Sequence, residues 1–496
     1  MILFHVVTLY QLESCVVHKL RYHNSEKTDI LVSADLPEGL VKKLGATENG
    51  LFERVGVIHN GGIVLTTRNE DAKAIIDEVD KYEKIYVGGC HYGFGKMLVE
   101  KEISFSVFEE ACGVMCKPER LAGIVERLSK DWFDCVNSMG LIDASNPYIE
   151  EKLCSIKHQC PGFEDEKAVD YNVAAEIGEL SSSQIELLED IFDAPRSISI
   201  PENSALVLTQ HFANLTIMTW DEQKLIYTLL ADYFLENYYL VFKTHPFDLM
   251  YYDELFENCI VIRERFPAEL LPYILSNTPD CVATINSTAI KGIDSIISES
   301  VSFDIDFENE FKKIHKYYIA MEYCSQKACQ NYSFYSYEAN KSVIDNFNKV
   351  NNYGFNECQE LTLDEWSCIS GKTVIIIDDI DFESVDELME KISILDDNAI
   401  CIFLGILPIN NEFVHPITIS VFENNEMDHE EMIYVYSKGE SSKMNDINKT
   451  LTNSHIVIFA EEQERDKKNI KILEGMLEAT EKRLSYYIEK DMVNKQ

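Results

Sequence analysis

The stretch Tyr238-Tyr239-Leu240-Val241-Phe242-Lys243-Thr244-His245-Pro246-Phe247-Asp248 decides how the chain is read. Its run of apolar and β-branched residues suits a buried parallel strand. Pro246 has no N–H to offer a central ladder, so the strand ends before it. His245 is thereby set at a strand's carboxyl end, the edge of an open α/β sheet where ligands bind. A lone His-Pro pair is a weak signal, and a histidine that merely ends a strand is the plainer reading. The segments around it shift that balance.

Residues 205–209 read as a strand ending in Gln210-His211. Residues 220–236 read as a long helix capped near Thr219 or Asp221. Residues 259–262 form a strand, and Phe266-Pro267-Ala268-Glu269-Leu270-Leu271 opens a helix with Pro267 near its first turn. Residues 281–285 form a strand that leads into Asn286-Ser287-Thr288. In a parallel sheet three loops then open on one crevice, carrying His245, Glu269 and Ser287-Thr288. Ser287 and Thr288 at a helix start offer hydroxyls and free N–H groups to an anion. His245 is a further donor, charged if a phosphate raises its pKa. Glu269 accepts hydrogen bonds, as from ribose hydroxyls. The set suits a nucleoside monophosphate or its sugar ester. Taken singly, the hydroxyl pair is a helix cap and Glu269 a first-turn charge.

The first half alternates in the same way. Strands are read at 2–8, 30–33, 54–59, 62–66, 84–87 and 103–108, with helices at 9–22, 38–44 and 71–82. The last strand ends at Glu109-Glu110. Gly88-Gly89-Cys90-His91-Tyr92-Gly93-Phe94-Gly95 lacks the G-x-G-x-x-G order and reads as an ordinary strand-to-helix turn. Residues 117–200 read as helical cover and connection, with helices at 118–132 and 182–192. From 335 a third α/β unit follows, with strands at 373–377, 399–404, 417–421 and 455–459 and a charged helix at 461–490. Gly371-Lys372-Thr373 fails as a P-loop, because Trp366 occupies the upstream glycine position and the lysine enters a strand. The expected domains are 1–195, 196–334 and 335–496. Two alternating halves around a cleft are the pattern of a two-domain nucleotide-sugar enzyme.

Composition narrows the partners. The 496 residues carry 44 Lys+Arg against 85 Asp+Glu, a formal net charge of −41. That surface repels phosphate backbones, so nucleic acid is rejected as a main partner. It also opposes broad adhesion to anionic lipid, leaving at most peripheral membrane association. The N-terminus reads as a first strand, not a leader, and no apolar run reaches the roughly 18 residues of a membrane span. The 14 Cys are scattered, as in a reducing cytosol. The groupings Cys112/Cys116, Cys154/His158/Cys160 and Cys324/Cys329 lack zinc-ribbon spacing. A cytoplasmic protein is expected, with the inner face of the membrane left open as its place of action.

The strings Leu206-Val207-Leu208-Thr209-Gln210, Phe242-Lys243-Thr244-His245-Pro246, Phe266-Pro267-Ala268-Glu269-Leu270-Leu271 and Ile285-Asn286-Ser287-Thr288-Ala289 resemble the bacterial sialyltransferases of GT-B fold, most closely the lipooligosaccharide and capsule-type group. The resemblance covers roughly residues 1–300. It implies two Rossmann-like domains facing a cleft, with the C-terminal α/β unit as an addition. It implies that His245, beside Pro246, and Ser287-Thr288 hold the CMP phosphate, that Glu269 holds the ribose, and that Gln210 lines the donor site. The acidic-acidic-Gly motif of that family corresponds to Phe108-Glu109-Glu110-Ala111, where alanine replaces the expected glycine and the next glycine is Gly113. The departure leaves open which carboxylate is catalytic, with Glu109 the better match by motif order. The implied reaction is a single inverting displacement from a CMP-sugar to a glycan hydroxyl. A carboxylate acts as base, His245 and the hydroxyls stabilise the departing CMP, and no metal or other cofactor is required. Two other readings stand beside it. One is a CDP-polyol phosphotransferase of wall-polymer synthesis, similar in the second half only. The other is a non-catalytic nucleotide- or glycan-binding assembly protein.

Overall fold

The computed structural model describes residues 1–45, 50–215, 217–293, 297, 300–302, 313–378, 385–405, 413–423, 426–438 and 447–451. The strand read at 455–459 and the helix read at 461–490 lie outside the described residues. By contacts the chain forms two compact units. The first is Met1–Thr209, Val241–Pro246 and Ile262–Ser302; the second is Gln210–Leu240, Phe247–Val261 and Phe303–Gln496.

The first unit opens with an eight-stranded sheet of β1 (Ile2–Val6), β2 (Thr28–Ser33), β3 (Arg54–Gly61), β4 (Val64–Thr67), β5 (Lys84–Gly88), β6 (Phe105–Phe108), β7 (Ile149–Cys154) and β8 (Ala168–Asp170). Its order is β4-β3-β2-β1-β5-β6-β7-β8. Every neighbouring pair is parallel except β3 with β4. All five residues of β1 are buried, as an apolar strand covered on both faces requires. Strand order reverses between β1 and β5, so the loops after those strands part there and leave a crevice.

Strands β7 and β8 correct the reading of 117–200 as helices and connection alone. Three consecutive charges in Ile149-Glu150-Glu151-Lys152-Leu153-Cys154 break the apolar run that marks a parallel strand. The structure exposes Glu150 and Glu151 and pairs the buried Lys152 with Asp165 at 2.6 Å. Tertiary pairing has overridden a weak local pattern.

A second sheet consists of β9 (Ser204–Leu208), β10 (Tyr239–Lys243), β11 (Ile260–Ile262), β12 (Cys281–Thr284) and β13 (Ser300–Ser302). Its order, β11-β10-β9-β12-β13, again turns back beside its first strand. The chain is thus α/β with two Rossmann-ordered sheets. The expected strands at 205–209, Tyr239–Lys243, 259–262 and 281–285 are present within a residue or two.

The third sheet, in the second unit, is mixed. It comprises β14 (Ser333–Tyr337), β15 (Gln359–Glu360), β16 (Thr373–Ile377), β17 (Ala399–Phe403), β18 (Val414–Glu423), β19 (Glu426–Ser437) and β20 (Ile447–Thr450). Their order is β15-β14-β16-β17-β19-β18-β20. In the same unit the helix Trp220–Phe234 packs on the helix Lys341–Val350, with the Phe234 and Phe347 rings 4.4 Å apart. Glu236 beyond its end accepts from Lys449 at 2.6 Å.

Candidate active site

The crevice of the first sheet is furnished from β1, β5 and β6. Thr8 caps the helix Leu9–Tyr22 in a capping box with Gln11. Gln11 Oε1 accepts from the N–H groups of Val7 and Thr8, at 2.9 and 3.1 Å. That turns Nε2 outward, where it donates to Glu110 Oε2 at 2.7 Å. Gly88 at the end of β5 makes room, because a Cβ there would sit 2.8 Å from Gln11 Cδ. The buried His91 brings Nδ1 to 3.4 Å from Glu110 Oε1 without completing a hydrogen bond. Its ring stacks on Trp132, whose Nε1 donates to the His91 carbonyl at 2.9 Å. The Gly-rich stretch therefore packs around a glutamine and presents a histidine.

Glu110 keeps 28% of its side chain exposed. It lines a cavity of about 230 Å³ with Cys90, Val107, Ala111, Leu121 and, from the loop after β12, Thr288. Glu109 is a contrast at 3% exposure. Its Oε1 accepts from Ser155 N at 3.0 Å, and its Oε2 accepts from Gly113 N and Gln159 Nε2, each at 3.0 Å. Burial pushes its carboxyl up to about 7 despite those donors. Glu109 ties the turn at 109–113 to the loop at 155–159. Gly113 has φ +73°, and a Cβ there would meet the His158 carbonyl oxygen at 2.4 Å. Ala111 is part of the cavity wall. Motif order favoured Glu109, but the open carboxylate is Glu110.

In the second sheet, order reverses between β9 and β12. Thr209 Oγ1 accepts from the His245 N–H at 3.2 Å. Thr284 Oγ1 donates to the Leu208 carbonyl at 2.8 Å and accepts from Ser287 N at 2.9 Å. His245, Pro246, Ser287 and Thr288 are all half-buried. Because β9 lies between β10 and β12, the ends of those two strands are about two strand spacings apart, ~10 Å. The helical residues described after Thr288 are only five, Ala289–Ile293. Gln210 belongs to the second compact unit. Its N–H donates to Tyr227 Oη at 2.7 Å, and its carbonyl accepts from Gln223 Nε2 at 3.1 Å. Gln223 also donates to the buried Asp248 at 3.1 Å.

Glu269 was expected at a crevice edge, within reach of ribose, yet the structure buries it to 3%. Pro267 leads into a short turn, Ala268–Leu270, that presses Glu269 against Gly292, where a Cβ would lie 3.3 Å from its Cγ. Burial pushes its carboxyl up to about 7, opposed by the positive charge of Lys243. Lys243 itself is pushed down to about 8 by burial. Its amine donates to the Glu264 carbonyl at 2.9 Å and lies 4.5 Å from the Phe266 ring centre.

Sequence reasoning missed Gln11, Glu13 and His91. Glu13 is fully buried, and neither carboxylate oxygen has a hydrogen-bond partner. Burial raises its carboxyl well above the usual value, and the like charge of Glu269 adds to the shift. Residues 11–20 are all buried although Gln11, Glu13, Ser14, His18 and Lys19 among them are polar, so the local pattern gave no signal of that burial. Among the described residues no group of three or more His, Cys, Asp or Glu is arranged to hold a metal ion. Among them, too, no helix is long and apolar enough to cross a membrane.

No family model matches the chain, and no curated protein does. Solved structures similar to it include a sialyltransferase from Photobacterium damsela, at 13% identity and TM-score 0.39 over 73% of this chain and 81% of that one. Another is the alpha/beta-galactoside alpha-2,3-sialyltransferase of the luminous marine bacterium Photobacterium phosphoreum, at 12% identity and TM-score 0.38 over 72% and 97%. A third is the UDP-GlcNAc 2-epimerase of Methanocaldococcus jannaschii in complex with UDP-GlcNAc and UDP, at 11% identity and TM-score 0.36 over 61% and 84%. At these identities and scores the likeness assigns no donor, acceptor or catalytic residue.

Proposed function

We propose that this chain is an inverting, metal-independent glycosyltransferase that moves sialic acid or a related sugar from a CMP-sugar to a hydroxyl of a cell-surface glycan. The observation that carries the reading is Glu110. A half-open carboxylate, oriented by Gln11 and flanked by His91, faces a cavity that Thr288 of the second sheet also lines. A base needs one oxygen free for the acceptor proton, and a fixed hydrogen bond on the other sets its direction. Glu109 fails the first need, since both of its oxygens accept hydrogen bonds and it is buried.

In this reading residues 1–195 form the acceptor side and 196–334 the donor side, with 335–496 as an added unit. Glu110 takes the acceptor proton as the sugar–phosphate bond breaks through an oxocarbenium-like state. His245, beside Pro246, and Ser287 and Thr288 donate to the departing CMP phosphate. Gln210 lines the nucleotide, and Glu269 supports the ribose end from behind the wall instead of touching it. The protein would act in the cytoplasm, at most peripherally on the inner membrane face.

The test is CMP release from CMP-sialic acid with galactoside acceptors. Turnover in the unaltered protein, lost in His245→Ala and Glu110→Gln, is expected. Transfer from CDP-glycerol instead, or CMP binding with no turnover of any donor, would overturn the assignment.

A further inference from the structure

Resting on that reading, we infer that the cavity beside Glu110 is an acceptor subsite for an apolar chain carried on a phosphate. Its wall is built by the turn after β6 and by the helix Pro118–Leu128, through Val114, Met115, Leu121 and Ile124, closed by Leu141 and Ile142. These side chains offer no hydrogen bonds to a sugar ring, whose hydroxyls would be desolvated there without replacement. The volume, about 230 Å³, exceeds the ~150 Å³ of an apolar cavity that holds benzene, so a ring or a short alkyl segment fits. Ile124 is 42% exposed although it faces this cavity, which leaves apolar surface at the mouth for the chain to cover.

Charge selects the rest of the ligand. The charged residues lining the cavity are Glu110, Lys117 and Arg120. Two cations at one pocket stand out in a chain whose net charge is −41. They suit an anionic linker, with Arg120 the exposed one. An acceptor joined through phosphate to an alkyl chain would seat the chain against Leu121 and Ile124 and the phosphate on Lys117 and Arg120. Its sugar hydroxyl would then reach Glu110.

The probe is hexyl phosphate, titrated calorimetrically into the full chain without donor, beside ethyl phosphate and hexanol. Four methylenes are worth up to about 200-fold in affinity, so hexyl phosphate is expected to bind at least about tenfold tighter than ethyl phosphate. It is also expected to bind at least about tenfold tighter than hexanol. Ile124→Arg, at a partly exposed position that tolerates charge, should abolish the chain-length dependence, and Arg120→Glu should reduce hexyl phosphate to the level of hexanol. Equal binding of the two phosphates, or an unaltered titration in a folded Ile124→Arg protein, overturns the inference. CMP is titrated in parallel. CMP binding without a hexyl phosphate signal removes the subsite alone. A hexyl phosphate signal in a protein that turns over no CMP-sugar removes the proposed reaction and leaves the subsite.

Discussion

Two adjacent glutamates with the same chemistry are given different work by their surroundings. Glu110 has one anchor and an open face, whereas Glu109 has three donors and no solvent. Glu110→Gln is expected to lower kcat/KM by at least about 10²-fold, in line with loss of a general base, and to leave the melting temperature nearly unchanged. Glu109→Gln is expected to cost on the order of 1–3 kcal/mol of stability, because an amide nitrogen placed toward any of the three donors leaves that donor buried and unpaired. Parallel kinetics and urea denaturation of the two variants separate the roles. Glu13 and Glu269 offer a pH test. Both carboxyls are raised by burial, Glu269 from 4.5 to about 7. Between those values the native state holds more protons than the unfolded chain, so this contribution is full below about 4.5 and is lost as pH rises through about 7. Glu13→Gln removes one of these two buried acids, and the expected result is a gain in stability at pH 8 that shrinks toward pH 5. Urea midpoints at both pH values measure it, and a variant that loses stability at pH 8 would contradict the account.

At the scale of elements, the site depends on where strands stop and which glycines follow them. The end of β5 can approach the first helix only because Gly88 carries no Cβ. Gly88→Ala is expected to push the Gln11 amide away from Glu110 and lower turnover about tenfold or more while far-UV circular dichroism stays the same. Gln11→Ala should reproduce that loss, and the double variant should add little to it, because both act on one hydrogen bond. Much of this level was legible in advance. His245-Pro246, Ser287-Thr288 and Glu109-Glu110 each follow a strand, and strands ending at a proline or an acidic pair are local facts. The strands β7 and β8 were not legible, since Glu150, Glu151 and Lys152 hide the pattern until Asp165 pairs with the lysine. The burial of Glu269 was equally hidden, because it depends on Gly292 lying against it, more than twenty residues onward.

At the scale of the molecule, the two compact units interleave along the chain. The helix Trp220–Phe234 finds its partners far downstream: Phe347 against Phe234, His315 hydrogen-bonded to Tyr233, and Lys449 on Glu236. A fragment ending at residue 302 would leave Tyr233 and Phe234 without that cover, and it is expected to aggregate, in contrast to the full chain. Size-exclusion chromatography of the two proteins decides the matter, and a monodisperse fragment would contradict it. The amino-acid order by itself determined the alternating α/β architecture, the strand ends that carry polar loops and the strong net acidity, because periodicity, proline and net charge act over a few residues or over the composition as a whole. Only the tertiary structure decided which of two neighbouring glutamates is open, that Gln11 and His91 flank it, and that an apolar cavity lies alongside. Burial and hydrogen-bond partners are set by segments distant in sequence, and no local pattern encodes them.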